Sequence, residues 1–141
     1  IDLCQFAEIT PAVNQVETHV FHQQQAAHQY MKKYGVQHES WGPFAEGRND
    51  FFTNPVLNEI GQKYNKSAAQ TALRFLLQSD VVVIPKSTER MEQNLDVFDF
   101  TLTEQEMQTI RQLDEGKSLF FSHYNPSTVE MIINMGKTRK V

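Results

Sequence analysis

"VVVIPKS", residues 81–87, decides how the rest of the chain is read. Four β-branched apolar residues, Val81 to Ile84, make the short, continuously apolar run expected of a strand covered on both faces of a parallel sheet. Pro85 has no N–H to give a ladder and ends it. Lys86 and Ser87 then follow at what would be the carboxyl end of the strand. In parallel α/β folds ligands gather at that end, because loops there vary while the sheet stays rigid. A cation and a hydroxyl at that place, with Arg90 close by and a helix expected to begin near Glu89, suit an anion such as a phosphate. On spacing alone, a solvated strand-to-helix turn accounts for the same residues equally well.

Upstream of this stretch, residues 12–17 ("AVNQVE") alternate apolar and polar after Pro11 and read as a short strand. Ala27, Tyr30, Met31 and Tyr34 recur at helical spacing, and Gly35 stops that helix. A second short strand ends near Trp41, where Gly42 and Pro43 break it. Asn54 followed by Pro55 has the form of an N-cap and first helical residue. Ser67 with Gln70 has the spacing of a capping box. Downstream, Met91, Leu95 and Phe98 stand at helical spacing, Thr103 and Glu106 form a second capping box, and residues from Gly116 onward read as an aromatic, irregular tail. The order strand, helix, strand, helices, strand, helices predicts an α/β fold with about three parallel strands. So narrow a sheet leaves two unpaired edges, so it is expected to continue in residues beyond these 141.

Composition narrows the functions available. A 141-residue chain with 40% hydrophobic and 11% aromatic residues is globular rather than disordered. A net charge of −4 argues against a nucleic-acid binder, so any anion site must be local. The single cysteine, Cys4, can form no internal disulfide, and no apolar run approaches spanning length; the expectation is a reducing, cytoplasmic setting with no membrane partner. The six glycines permit neither GxGxxG nor a Walker loop. Glu17, His19 and His22 lack a convincing third metal ligand at ligating spacing. No GxSxG elbow exists, and nothing in the spacing of Glu17, Glu39 or the tyrosines singles out an acid or base. Gln15 and Trp41 sit near the ends of the first two strands, where a structural amide and a packed indole are the ordinary readings.

Three segments in order, "PAVNQVETH", "ESWGPFAEG" and "VVVIPKSTERMEQNLDVFDFTLTEQEM", closely resemble the C-terminal half of aldo-keto reductases, above all bacterial 2,5-diketogluconic acid reductases. The resemblance implies that residues 1–141 are the C-terminal portion of a single (β/α)8 barrel domain whose N-terminal half lies elsewhere. It implies NADPH bound in an extended pose without a Rossmann motif. Gln15 matches the glutamine that bonds the nicotinamide carboxamide, and Trp41 the aromatic that stacks on the nicotinamide ring. Gly42 and Phe44 match the loop beside the pyrophosphate. Lys86, Ser87 and Arg90 match the group holding the 2′-phosphate, and Asn94 the contact to adenine. Phe120 and Phe121 fall in a tail like the loop that closes over substrate. Family members usually carry about two more residues between the serine and the Glu-Arg pair, so either this loop is shortened or residues are missing from the sequence, and the resemblance leaves the exact place of Arg90 open. The family's catalytic tyrosine and lysine lie on earlier strands, and none of Tyr30, Tyr34, Tyr64 or Tyr124 sits in their motifs. The implied activity is reduction of a small aldehyde or ketone by the whole barrel, this chain supplying cofactor grip. A non-catalytic NADP(H)-binding or sensing module, or an inactive fragment, is the competing expectation.

Overall fold

A computed structural model of the chain describes residues 1–122 and 124–138. After a single helical turn, α1 (Asp2–Phe6), the chain runs β1 (Val13–Glu17), α2 (Gln25–Lys33), β2 (Gln37–Trp41), α3 (Pro55–Gln62), α4 (Ala68–Gln78), β3 (Val82–Val83), α5 (Met91–Leu95), α6 (Glu104–Arg111) and α7 (Pro126–Thr138). The three strands form one parallel sheet in the order β1-β2-β3. This is the α/β architecture expected from the order of elements.

The helix starts follow local chemistry. Asn54 accepts a bond from the Leu57 N–H ahead of Pro55, and the capping boxes of Ser67 with Gln70 and Thr103 with Glu106 are both closed. Gly61 lets α3 approach the turn before α4: a methyl there would stand 2.4 Å from the Lys66 carbonyl oxygen and 2.6 Å from Thr71 Oγ1. The core lies between the sheet and α3, α4 and α6, with Leu57, Leu73, Leu76 and Ile110 essentially inaccessible to solvent.

Alternation divides the sheet. His38 and Ser40 of β2 are buried against the helical layer, and Val81 joins the core there, while Gln37, Glu39 and Trp41 point the other way. Because Gln15 pairs with Glu39, Glu17 with Trp41 and Val82 with Glu39, all of these side chains share the opposite, open face.

Within the 141 residues the apolar run at 81–84 has only its helical face covered: Val82 and Ile84 are 41% and 45% exposed, because no described helix or strand packs over the open face, and the ladder is limited to two residues. Two expectations are corrected. The Met91, Leu95, Phe98 stripe is also exposed, and α5 stops at Leu95; with Leu77, Val83 and Pro85 the three side chains line a shallow groove at the free edge of β3. The tail is not wholly irregular, since α7 begins at Pro126, after Asn125 accepts bonds from the Ser127 N–H and hydroxyl. No helix among the described residues is long and apolar enough to cross a membrane.

Candidate functional site

The carboxyl ends of the three strands carry two adjoining groups of side chains. The first surrounds Trp41, the last residue of β2. Phe120 meets its ring at 5.0 Å between centroids and 58°, and Phe121 lies nearly parallel to it at 6.1 Å and 19°. Gly42 follows in a left-handed conformation, φ +65°, which turns the chain sharply off the strand. A methyl on Gly42 would meet Phe120 at an ordinary 3.8 Å, so its backbone angle, rather than a need for room, is what calls for glycine.

The second group lies beyond β3. Lys86, Ser87, Arg90 and Asn94 line one cavity of about 450 Å³, closed on its far side by Phe44, Phe52, Asn58 and the start of α4. After Ser87 the chain makes a tight turn in which the Ser87 hydroxyl accepts the Arg90 N–H at 2.8 Å. The helix expected near Glu89 begins only at Met91 and is five residues long, so the side chains, not a helix end, supply the positive charge. An ammonium, a guanidinium, a hydroxyl and an amide around one cavity can bind a phosphorylated ligand.

Gln15 belongs to neither group. One rung below Trp41 on the open face, its Nε2 donates to Glu39 Oε1 at 2.6 Å, which fixes the amide against the neighbouring strand. The ten residues singled out by sequence therefore fall into three places: Trp41, Gly42, Phe120 and Phe121 together, Phe44, Lys86, Ser87, Arg90 and Asn94 together, and Gln15 on the sheet. Phe44 touches Phe51 and Phe52, so the ring cluster connects the two loops.

Two further residues belong to this rim: Glu17, which the sequence offered only as a weak metal ligand or an undistinguished acid or base, and Arg48, which it did not single out. Glu17, at the end of β1, accepts from the Ser118 hydroxyl, from the Leu119 N–H at 3.0 Å and from His19 Nε2 at 3.0 Å. Arg48 donates to the Leu119 carbonyl oxygen, and its guanidinium lies 4.3 Å from the Phe120 centroid. Neither had a motif to announce it. Burial of His19 lowers its pKa, the Glu17 bond opposing the shift only in part, so the imidazole is neutral and donates through Nε2. No cluster of three metal-ligating side chains exists among the described residues.

The sequence model of the aldo/keto reductase family matches residues 2–115. Methylglyoxal reductase DkgA of Escherichia coli K12 is 41% identical over 113 residues, which cover 79% of this chain and 41% of that protein. Among solved structures, MGS-M4, an aldo-keto reductase from a Medee basin deep-sea metagenome library, superimposes with a TM-score of 0.83 at 44% identity, over 87% of this chain and 46% of its own. A mutant of Gox0644 in complex with NADPH gives 0.79 at 34% identity, over 85% of this chain and 44% of its own. The three-stranded sheet with its helices thus corresponds to part of an aldo-keto reductase barrel, and the chain spans under half the length of the relatives it matches.

Proposed function

The chain belongs to the aldo/keto reductase family, and from that premise we propose that it is the C-terminal, cofactor-binding part of a single (β/α)8 barrel that reduces an aldehyde or ketone with NADPH. The observation that carries this is the convergence of Lys86, Ser87, Arg90 and Asn94 on one cavity at the carboxyl end of β3, next to the loop from Trp41 to Phe44. A cationic, hydroxyl-bearing cavity suits a dianionic phosphate, and a relative of the same fold is solved with NADPH. When bound, NADPH supplies the hydride. Lys86, Ser87 and Arg90 would hold the phosphate on the ribose, and Asn94 the adenine. Gly42 and Phe44 would border the pyrophosphate. Trp41 would stack the nicotinamide ring and Gln15 would orient its carboxamide, with Phe120 and Phe121 bordering the carbonyl compound. A free thiol at Cys4 suits the reducing cytoplasm.

The proton donor for the alkoxide is not offered by these residues. Tyr30 lies on α2, Tyr34 caps it, Tyr124 is almost fully exposed, and Tyr64 donates to Glu106, a bond that raises its pKa. The 141 residues alone are therefore expected to bind NADPH without reducing a carbonyl, as a non-catalytic binding module would. The test is the affinity of Lys86→Ala for two cofactors. NADPH binding should weaken on the order of 10- to 100-fold and NADH binding should hardly change, since a charged hydrogen bond is lost only where the extra phosphate exists. Equal losses for both would remove the phosphate assignment.

A further inference from the structure

We propose that Glu17 is a positioning residue, a buried latch that holds residues 118–121 across the carboxyl end of the sheet and thereby shields the ring of Trp41 from ligand. Glu17 has the open-face parity of Val13 and Gln15, yet it is 6% exposed where Val13 is 49% exposed. What covers it is a segment 101 residues away in sequence, bound through the Ser118 hydroxyl. That hydroxyl also accepts the Phe120 and Phe121 N–H groups at 3.0 Å each, so one side chain fixes both phenylalanines to one carboxylate. His19, fully buried and with Nδ1 unpartnered, spends its other nitrogen on Glu17. Three donors to one buried oxygen pair replace the hydration that burial removes. Release of the segment would strip two of the three.

Phe121 runs nearly parallel to the indole and Phe120 packs at an angle beside it, with Arg48 as a second anchor on Phe120 and on the Leu119 carbonyl. If Trp41 stacks a nicotinamide ring, as the functional reading holds, the latched form has that surface occupied. Binding then draws on the unlatched fraction, and apparent affinity falls in proportion.

Trp41 is the sole tryptophan, so its emission reports the segment directly. The experiment is acrylamide quenching of Trp41 in the unmodified chain, in Glu17→Gln and in Ser118→Ala, with far-UV circular dichroism to check the fold. Ser118 is only partly buried, so its alanine variant serves even where the Glu17 variant fails to fold. Quenching should rise about twofold or more in the released variants as the open population grows. Quenching equal to the unmodified chain in a folded variant overturns the latch. The same variants should bind NADPH about three- to tenfold more tightly. Unchanged or weaker NADPH binding alongside increased quenching overturns the shielding. Absence of NADPH binding in every variant would remove the functional reading, while the quenching result decides the latch with no cofactor present.

Discussion

The two faces of the sheet are made from alternate residues of the same strands, and they have opposite fates. On the helical face, His38 and Ser40 are polar yet 1% and 0% exposed, and Val81 enters the core. On the open face, Val13, Val82 and Ile84 are apolar yet 49%, 41% and 45% exposed. Residue polarity does not decide which side is buried; the crossing helices do. The buried polar groups find partners at the end of β1 and on α2: the Ser40 hydroxyl donates to the Thr18 carbonyl, and the His38 ring nitrogens lie 2.7 Å from Thr18 Oγ1 and 2.9 Å from His28 Nδ1. Within these residues the helical face carries the buried core, and the open face and the rim above it carry the side chains of the proposed site.

The largest effect expected from this division is on the helical side. Leu73, on α4, is fully buried, and Leu73→Ala should lower unfolding free energy by ~2–5 kcal/mol, measured by urea denaturation. A loss below ~1 kcal/mol would mean that the core is not where the fold is held.

Acid should attack the same side next. His38 titrates at about 4 rather than 6.5, because burial disfavours its charged form and nearby His28 adds to the effect. The unfolded chain therefore takes up a proton near pH 6.5 that the folded chain refuses until about pH 4. Stability is full above that window and falls through it, by up to ~3 kcal/mol. Glu106 continues the trend. Burial would raise its pKa, but bonds from Tyr64, Thr103 and Lys63 outweigh burial and bring it down from 4.5 to about 2, so its contribution is lost between those values. Urea midpoints recorded from pH 7.5 downward should show the decline beginning near pH 6.5, and His38→Gln should make that upper part shallower, leaving the share of the likewise lowered His19.

What the sequence made legible follows from range. Caps depend on four consecutive residues, and Asn54–Pro55, Ser67–Gln70 and Thr103–Glu106 all stand where their spacing put them. The start of α7 had the same signature in Asn125–Pro126, obscured by the aromatic residues before it. Strand existence was readable at 81–84, but its covering was not, because exposure of Val82 depends on what lies opposite. The cavity that joins Phe44 to Lys86 and Arg90 connects loops some forty residues apart, and only resemblance brought those residues into one list. Glu17 was the least legible. Its neighbours His19 and His22 suggested only a weak metal set, and the partners that give it a role, Ser118 and Leu119, lie at the far end of the chain.

The smallest effect tests the division most sharply, because it compares neighbours. Val81 is 4% exposed on the helical face and Val82 is 41% exposed on the open face. Threonine keeps the shape of valine and the β-branched preference for a strand, so each substitution adds essentially one hydroxyl. At 81 that hydroxyl enters the core beside Leu76, and Val81→Thr should cost ~1–3 kcal/mol. At 82 it faces water, and Val82→Thr should change stability by less than ~0.5 kcal/mol. Measured on the 141 residues alone, equal costs at both positions would break the comparison, because their open face would then be buried without the rest of the barrel that is proposed to cover it.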